Sequence, residues 1–164
     1  MAGLDLFNLY MPVYAHGLGF SATTIGLVIG AFAAAAFVVR LAIPGFTAKW
    51  GEHSMMAAAL ALSAVAFVAV PFMTQPLALA AASFVVGLGL GCGQPLSIVL
   101  TYNHAPASRA GEALGLRLTV NKFTEVLVPI AFGSLGTAAG IFPVFWANAL
   151  LLLIGGYFSA EKRK

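Results

Sequence analysis

The sequence predicts an all-α integral membrane protein, a six-helix bundle forming a single transmembrane domain over residues 1–164. Three observations carry this. The chain is 61% hydrophobic and 8% charged, with a mean hydropathy of +0.98. A soluble domain is about 45–50% apolar and about 25% charged, so a soluble fold of this composition would lack the polar surface to cover itself. The apolar runs have helical length, unlike the roughly ten-residue alternating segments of an outer-membrane barrel. The connections between the runs alternate between bare and basic, the asymmetry that sets topology in a membrane.

A spanning helix needs about 20 apolar residues. The first run, 2–16, is shorter than that and ends at His16-Gly-Leu-Gly19. It reads as a partial helix, with an upstream portion missing or naturally truncated. Its polar residues Asp5, Asn8, Pro12 and His16 recur at helical spacing and share one face. No basic region opens the chain, so no cleavable signal peptide is expected.

The second run, 22–46, has Ser21 as its N-cap and a small-residue pair, Gly26 and Gly30, that would admit a close helix neighbour. Arg40 and Pro44 lie near its end. A loop is expected over 45–53, holding Lys49. The third run, 54–73, carries no charge and can face lipid. A turn at Thr74-Gln75-Pro76 leads to the fourth, 77–102. The fifth, 108–136, carries Pro129, where a kink is expected. The sixth, 141–158, has one strongly polar side chain, Asn148, and the tail ends in Lys162-Arg163-Lys164.

Lys49, Arg109 and the tail occupy alternate connections, whereas the turns after the first, third and fifth runs hold no Lys or Arg. The basic sides are expected in the cytoplasm, with both termini there too. The expected location is a bacterial cytoplasmic (inner) membrane.

Several motifs have bland readings. Gly87, Gly89, Gly91 and Gly93 alternate but miss the dinucleotide-binding spacing and its strand–turn–helix context. They form two overlapping small-residue pairs, 87/91 and 89/93, suited to close packing. Gln94 and Pro95 follow; the proline frees a backbone carbonyl and bends the helix, which suits a cavity wall. The lone Cys92 excludes an internal disulfide and reads as a small packing residue. His16, His53 and His104 share no ligand spacing, so no metal is expected. No nucleophile elbow, HExxH or catalytic carboxylate pair appears, so no enzyme, catalytic residue or cofactor is expected, and no nucleic-acid partner.

The fifth run differs. Arg117, Lys122 and Glu125 lie inside an apolar segment, where each charge costs roughly 2.5–3.5 kcal/mol on the insertion scale. Arg117, Asn121 and Glu125 share one side of a helix, with Lys122 beside Glu125. Lys122 lies about 15 Å inside the bilayer if the helix enters near Glu112. Two readings stand: a self-neutralising i,i+3 structural pair, or a site facing a cavity that binds substrate or handles protons. Asp5 falls at a similar depth and is a candidate proton carrier; a solvated residue at a frayed terminus is the alternative. The candidate cavity set is Asp5, Asn8, Gln94, Arg117, Asn121, Lys122 and Glu125.

Pro106-Ala-Ser-Arg109-Ala-Gly111-Glu-Ala-Leu-Gly115 resembles the P-x-x-x-R-G-x-A-x-G loop of the major facilitator superfamily, here with Ala110 inserted between Arg109 and Gly111. Gly87 to Pro95 is similar to the Gly-rich helix that precedes that loop. Arg40 to Pro44 and on through Gly45, Lys49 and Gly51 is similar to the G-x-x-x-D-R-x-G-R loop, with Lys49 for Arg and Ala48 where Asp belongs. Arg40, Gly45, Lys49, Gly51, Arg109, Gly111 and Gly115 are the loop and gating candidates on that basis.

The resemblance runs from about Leu4 to Phe158 and implies the C-terminal six-helix half of a twelve-helix transporter, its first helix truncated. Such a transporter moves a small solute by alternating access and would need an N-terminal six-helix half as partner. In that fold the first, second, fourth and fifth helices of a half line the cavity, while the third and sixth face outward. The alternatives are a non-transporting membrane protein or accessory subunit that only assembles, and a homodimer of this half.

Overall fold

The computed structural model describes residues 2–161. The helices are α1 (Ala2–Gly17), α2 (Ala22–Trp50), α3 (Glu52–Ala69), α4 (Pro76–His104), α5 (Ala110–Ala139) and α6 (Ile141–Glu161). Short 3₁₀ turns cover Val70–Phe72 and Ala107–Arg109, and no strand occurs among the described residues. The basic tail Lys162-Arg163-Lys164 lies outside the described residues. Among the described residues four helices are long and apolar enough to cross a membrane: Ala22–Trp50, Glu52–Phe72, Pro76–His104 and Ile141–Ala160. With its family, given below, this makes the chain a multi-pass integral membrane protein. At 30 residues α5 is the longest, about 45 Å at 1.5 Å per residue, but its apolar run is broken by Arg117, Lys122 and Glu125.

The core gathers α1, α2, α3, α4 and α6. Phe7 stacks on Phe32 with ring centroids 4.3 Å apart and meets Phe67 edge-on at 6.3 Å. Phe145 of α6 and Leu79 and Val86 of α4 close around them. At one end the Tyr14 hydroxyl donates to the carbonyls of Pro71 (3.1 Å) and Met73 (3.3 Å), tying α1 to the turn that ends α3. α5 stands apart: none of its described residues is fully buried.

Glycine sets the spacing of α4. A methyl group on Gly87 would strike the Phe32 carbonyl of α2, and one on Gly91 would come within 2.7 Å of the Ala36 Cα. On another side, one on Gly89 would strike Ser63 Oγ and the Ala59 carbonyl of α3. The 87/91 pair therefore seats α4 on α2, and Gly89 seats it on α3. The 89/93 pair is only half used, because a methyl on Gly93 would meet nothing within 4 Å. Gly26 and Gly30 likewise meet nothing, so the close neighbour expected for them is not among the described residues.

The loop expected over 45–53 is a further correction. α2 continues through Gly45 and Lys49 to Trp50, and α3 begins at Glu52. Pro44 is accommodated inside the helix, where the Thr47 hydroxyl donates to the Ile43 carbonyl (2.9 Å) and the Pro44 carbonyl (3.2 Å). The connection shrinks to Gly51, with φ +80°, a conformation that favours glycine. Lys49 sits in the last turn, where a cation complements the helix dipole. Ser21 caps α2, accepting from the Thr24 N–H at 3.2 Å.

The outward face of α3 and α6 is a strip, not the whole of either helix. Leu62, Val65 and Val68 on α3 and Trp146, Leu150 and Ile154 on α6 are exposed, while Ser63, Phe67 and Asn148 are buried.

Candidate functional site

The polar residues of α5 divide by what their side chains can still do. Thr119 and Thr124 spend their hydroxyls on the Gly115 and Val120 carbonyls one turn back, at 3.1 and 2.9 Å. Arg117, Asn121, Lys122 and Glu125 keep capacity for partners outside their own backbone. Lys122 Nζ lies 2.6 Å from Glu125 Oε2, and the two side chains are 75% and 50% exposed. The pair therefore sits on the open flank of the bundle. Asp5 of α1 lies close enough to feel both charges, and its Oδ2 is buried without a hydrogen-bond partner. Asn8, one turn further along α1, is exposed.

Arg117 turns inward instead. Its Nε donates to Ser97 Oγ at 2.8 Å and its Nη2 to the Gln94 carbonyl at 3.3 Å, joining α5 to α4 around Pro95. Beside it is a cavity of about 210 Å³ lined by Gly93, Gln94, Ser97, Arg117 and Asn121 on the polar side, and by Leu4, Leu60, Leu90 and Leu152 on the apolar side. Asn121 Nδ2 is buried there with no partner. Gln94 is also exposed, so it borders both the cavity and the open flank. The candidate set thus resolves into a flank group (half-buried Asp5 with exposed Asn8, Lys122 and Glu125) and an inner group (Arg117, Asn121), with Gln94 between them. Residues of α3 and α6 line the inner cavity and none of α2 does, unlike the helix set that the resemblance implies for the central cavity.

Arg40 has a role that its place in the sequence did not reveal. Pro95 has no N–H to give the carbonyl four residues back, that of Gly91. Arg40 Nε of α2 donates to that carbonyl at 3.4 Å. Two arginines, from α2 and α5, therefore hold the Pro95 region of α4 from two sides. Among the other loop candidates, Arg109 pairs with Glu112 at 2.8 Å, both exposed. Gly111 and Gly115 meet nothing that would exclude a side chain.

Two features escaped the sequence. Ser97 was not singled out, although it accepts from Arg117; its place one turn beyond Gln94 was the available signal. His53 and His104, expected at helix ends or loops with no shared spacing, lie at the start of α3 and the end of α4 with ring centroids 5.5 Å apart. Glu52 beside them accepts from Asn103 Nδ2 at 3.0 Å. Among the described residues no group of three or more His, Cys, Asp or Glu side chains could hold a metal ion.

The comparison with curated proteins returns no match. The family model described as Major Facilitator Superfamily matches residues 1–163, nearly the whole chain. The family is one of transporters and not an enzyme class. A bundle of apolar helices with a glycine-seated fourth helix and a polar fifth fits that match, and the chain belongs to the Major Facilitator Superfamily.

Proposed function

We propose that the chain is the C-terminal six-helix half of a secondary transporter that moves a small solute by alternating access, coupled to protons through the Asp5, Lys122 and Glu125 group. One observation carries this reading. Two opposite charges 2.6 Å apart stand exposed on the flank of a 30-residue helix that packs beside helices long and apolar enough to cross a membrane. Hydrocarbon does not tolerate them there, so that flank faces a water-filled space. A second six-helix bundle, an N-terminal half, would close that space, and the solute and the coupling proton would enter it. Alternating access is then the rocking of one bundle against the other around the shared site. Asp5 fits a proton carrier because its Oδ2 has no fixed partner. The membrane is proposed to be a bacterial inner membrane, with Lys49 and Arg109 on the cytoplasmic side.

The close contact of Lys122 with Glu125 also supports a second reading, a pair that only neutralises itself. Proton-driven uptake by the complete transporter separates the two. Lys122→Met and Glu125→Gln are each expected to abolish coupled uptake while the protein still inserts. Pairing one with the other should not restore it. A structural pair behaves oppositely: one change harms folding and the double change relieves it. Normal, pH-dependent uptake by the double variant rules out a working role for both residues. For the topology, single cysteines at positions 17 and 75 in a Cys92→Ala background should label from outside. Cysteines at 49 and 109 should not, and external labelling at 109 reverses the orientation.

A further inference from the structure

The inner cavity has one uncompensated positive charge. Arg117 is bound only by neutral acceptors, the Ser97 hydroxyl and the Gln94 carbonyl. No carboxylate forms an ion pair with it among the described residues. Glu125 is paired with Lys122, and no hydrogen bond or ion pair joins Asp5 to Arg117 among the described residues. Nη1 of Arg117 makes no hydrogen bond among the described residues, and Asn121 Nδ2 is a buried donor with none either. A guanidinium fork with a free edge and an idle amide N–H beside it offer unused donors to the cavity. The apolar lining includes Leu4, Leu60, Leu90 and Leu152. At about 210 Å³ the space is smaller than the roughly 300–1,000 Å³ of pockets that take drug-sized ligands.

We infer that this cavity binds a small monocarboxylate, its carboxylate on the free edge of Arg117 and on Asn121 Nδ2, its apolar part against the leucines. One uncompensated cation sets one negative charge on the ligand. The inference rests on the transport reading and names a substrate class for the inner cavity, which borders the open flank through Gln94.

Cys92, the only cysteine, is buried, so a thiol-reactive dye reports unfolding of the purified chain without any added label. Acetate, lactate and benzoate are the probes, each against sodium chloride at equal ionic strength, with benzamide as the neutral match for benzoate. A ligand at about tenfold its Kd raises the midpoint of a chain this size by on the order of 3–6 °C. At least one of the three anions is expected to do so, and benzamide not. Arg117→Gln should remove the rise and Arg117→Lys should keep part of it. If Arg117→Gln yields no folded protein, Asn121→Ala takes its place and should at least halve the rise. Three results overturn the inference: no rise with any of the three anions, an equal rise with benzamide, or a rise that survives Arg117→Gln or, in its place, Asn121→Ala. Uptake by vesicles holding the complete transporter separates this inference from the transport reading. Carboxylate binding without uptake of the bound anion counts against transport and leaves the binding site standing. Uptake of a neutral or cationic solute, with no carboxylate binding, leaves transport standing and removes this inference.

Discussion

The two halves of α4 meet their neighbours by different physics. From Gly87 to Gly91 the backbone lies directly against α2 and α3, so close that side chains have no room. Around Pro95 the same helix is held by hydrogen bonds from Arg117 of α5 to Ser97 and Gln94. The first seam is van der Waals contact between backbones, which has one geometry and loses most of its attraction with a small separation. The second consists of a few hydrogen bonds from a long side chain, which can be exchanged one for another. A rigid seam next to an adjustable one is what a bundle needs if α5 is to shift while α2, α3 and α4 move as one body.

The largest expected effects fall on the rigid seam. Gly87→Ala, Gly89→Ala and Gly91→Ala each force backbone or side-chain displacement, costing about 1–3 kcal/mol or more. Thermal unfolding followed through Cys92 should show midpoints lowered by several degrees, or no folded protein. Gly93→Ala serves as the internal control, because the added methyl meets nothing within 4 Å. Equal losses at 91 and 93 would break the contrast.

Next in size is the arginine on the α2 side. Arg40→Leu leaves the Gly91 carbonyl without its donor, a loss of about 1–3 kcal/mol for an unmet buried group. Pro95→Ala supplies an N–H that can reach that same carbonyl. The double variant should therefore recover most of the lost stability, and failure to recover it would mean that Arg40 acts by packing alone. Ser97→Ala, on the adjustable seam, should cost less, about 1 kcal/mol or below, because Arg117 still has the Gln94 carbonyl and Nη1 to work with. The smallest effect belongs to Gly26→Ala and Gly30→Ala. With no neighbour to strike, they should gain up to about 1 kcal/mol from helix propensity in the isolated chain. A loss on assembly with a second bundle, read by co-purification, would identify that face as a contact surface.

Much of this comparison was legible in the residues. Composition and run length imply a helical membrane bundle. The spacing of Gly87 and Gly91 shows a helix face without side chains, which has few uses besides close approach. What stayed hidden depends on long-range partners. Nothing local ties Arg40 to Gly91 or His53 to His104, each 51 residues apart in the chain. The Gly45–His53 stretch misled because it follows Pro44 and gathers Gly, Lys and Trp as loops do. Threonine back-bonding and a single positive-φ glycine let the helix continue instead. Which way Arg117 turns was likewise beyond the sequence, since a side chain that long reaches either flank of its helix.

The one-residue link at Gly51 has a consequence for how the protein is made. α2 ends at Trp50 and α3 starts at Glu52, so α3 has no slack with which to wait at the membrane surface while α2 crosses. The two must leave the insertion machinery as a hairpin, and the depth reached by one sets the depth of the other. α2 is 29 residues long, about 43 Å, against a hydrocarbon thickness of about 30 Å. An excess at the Trp50 end would carry Lys49 and Trp50 beyond the apolar layer and, through the one-residue link, set Glu52 and His53 of α3 beside them.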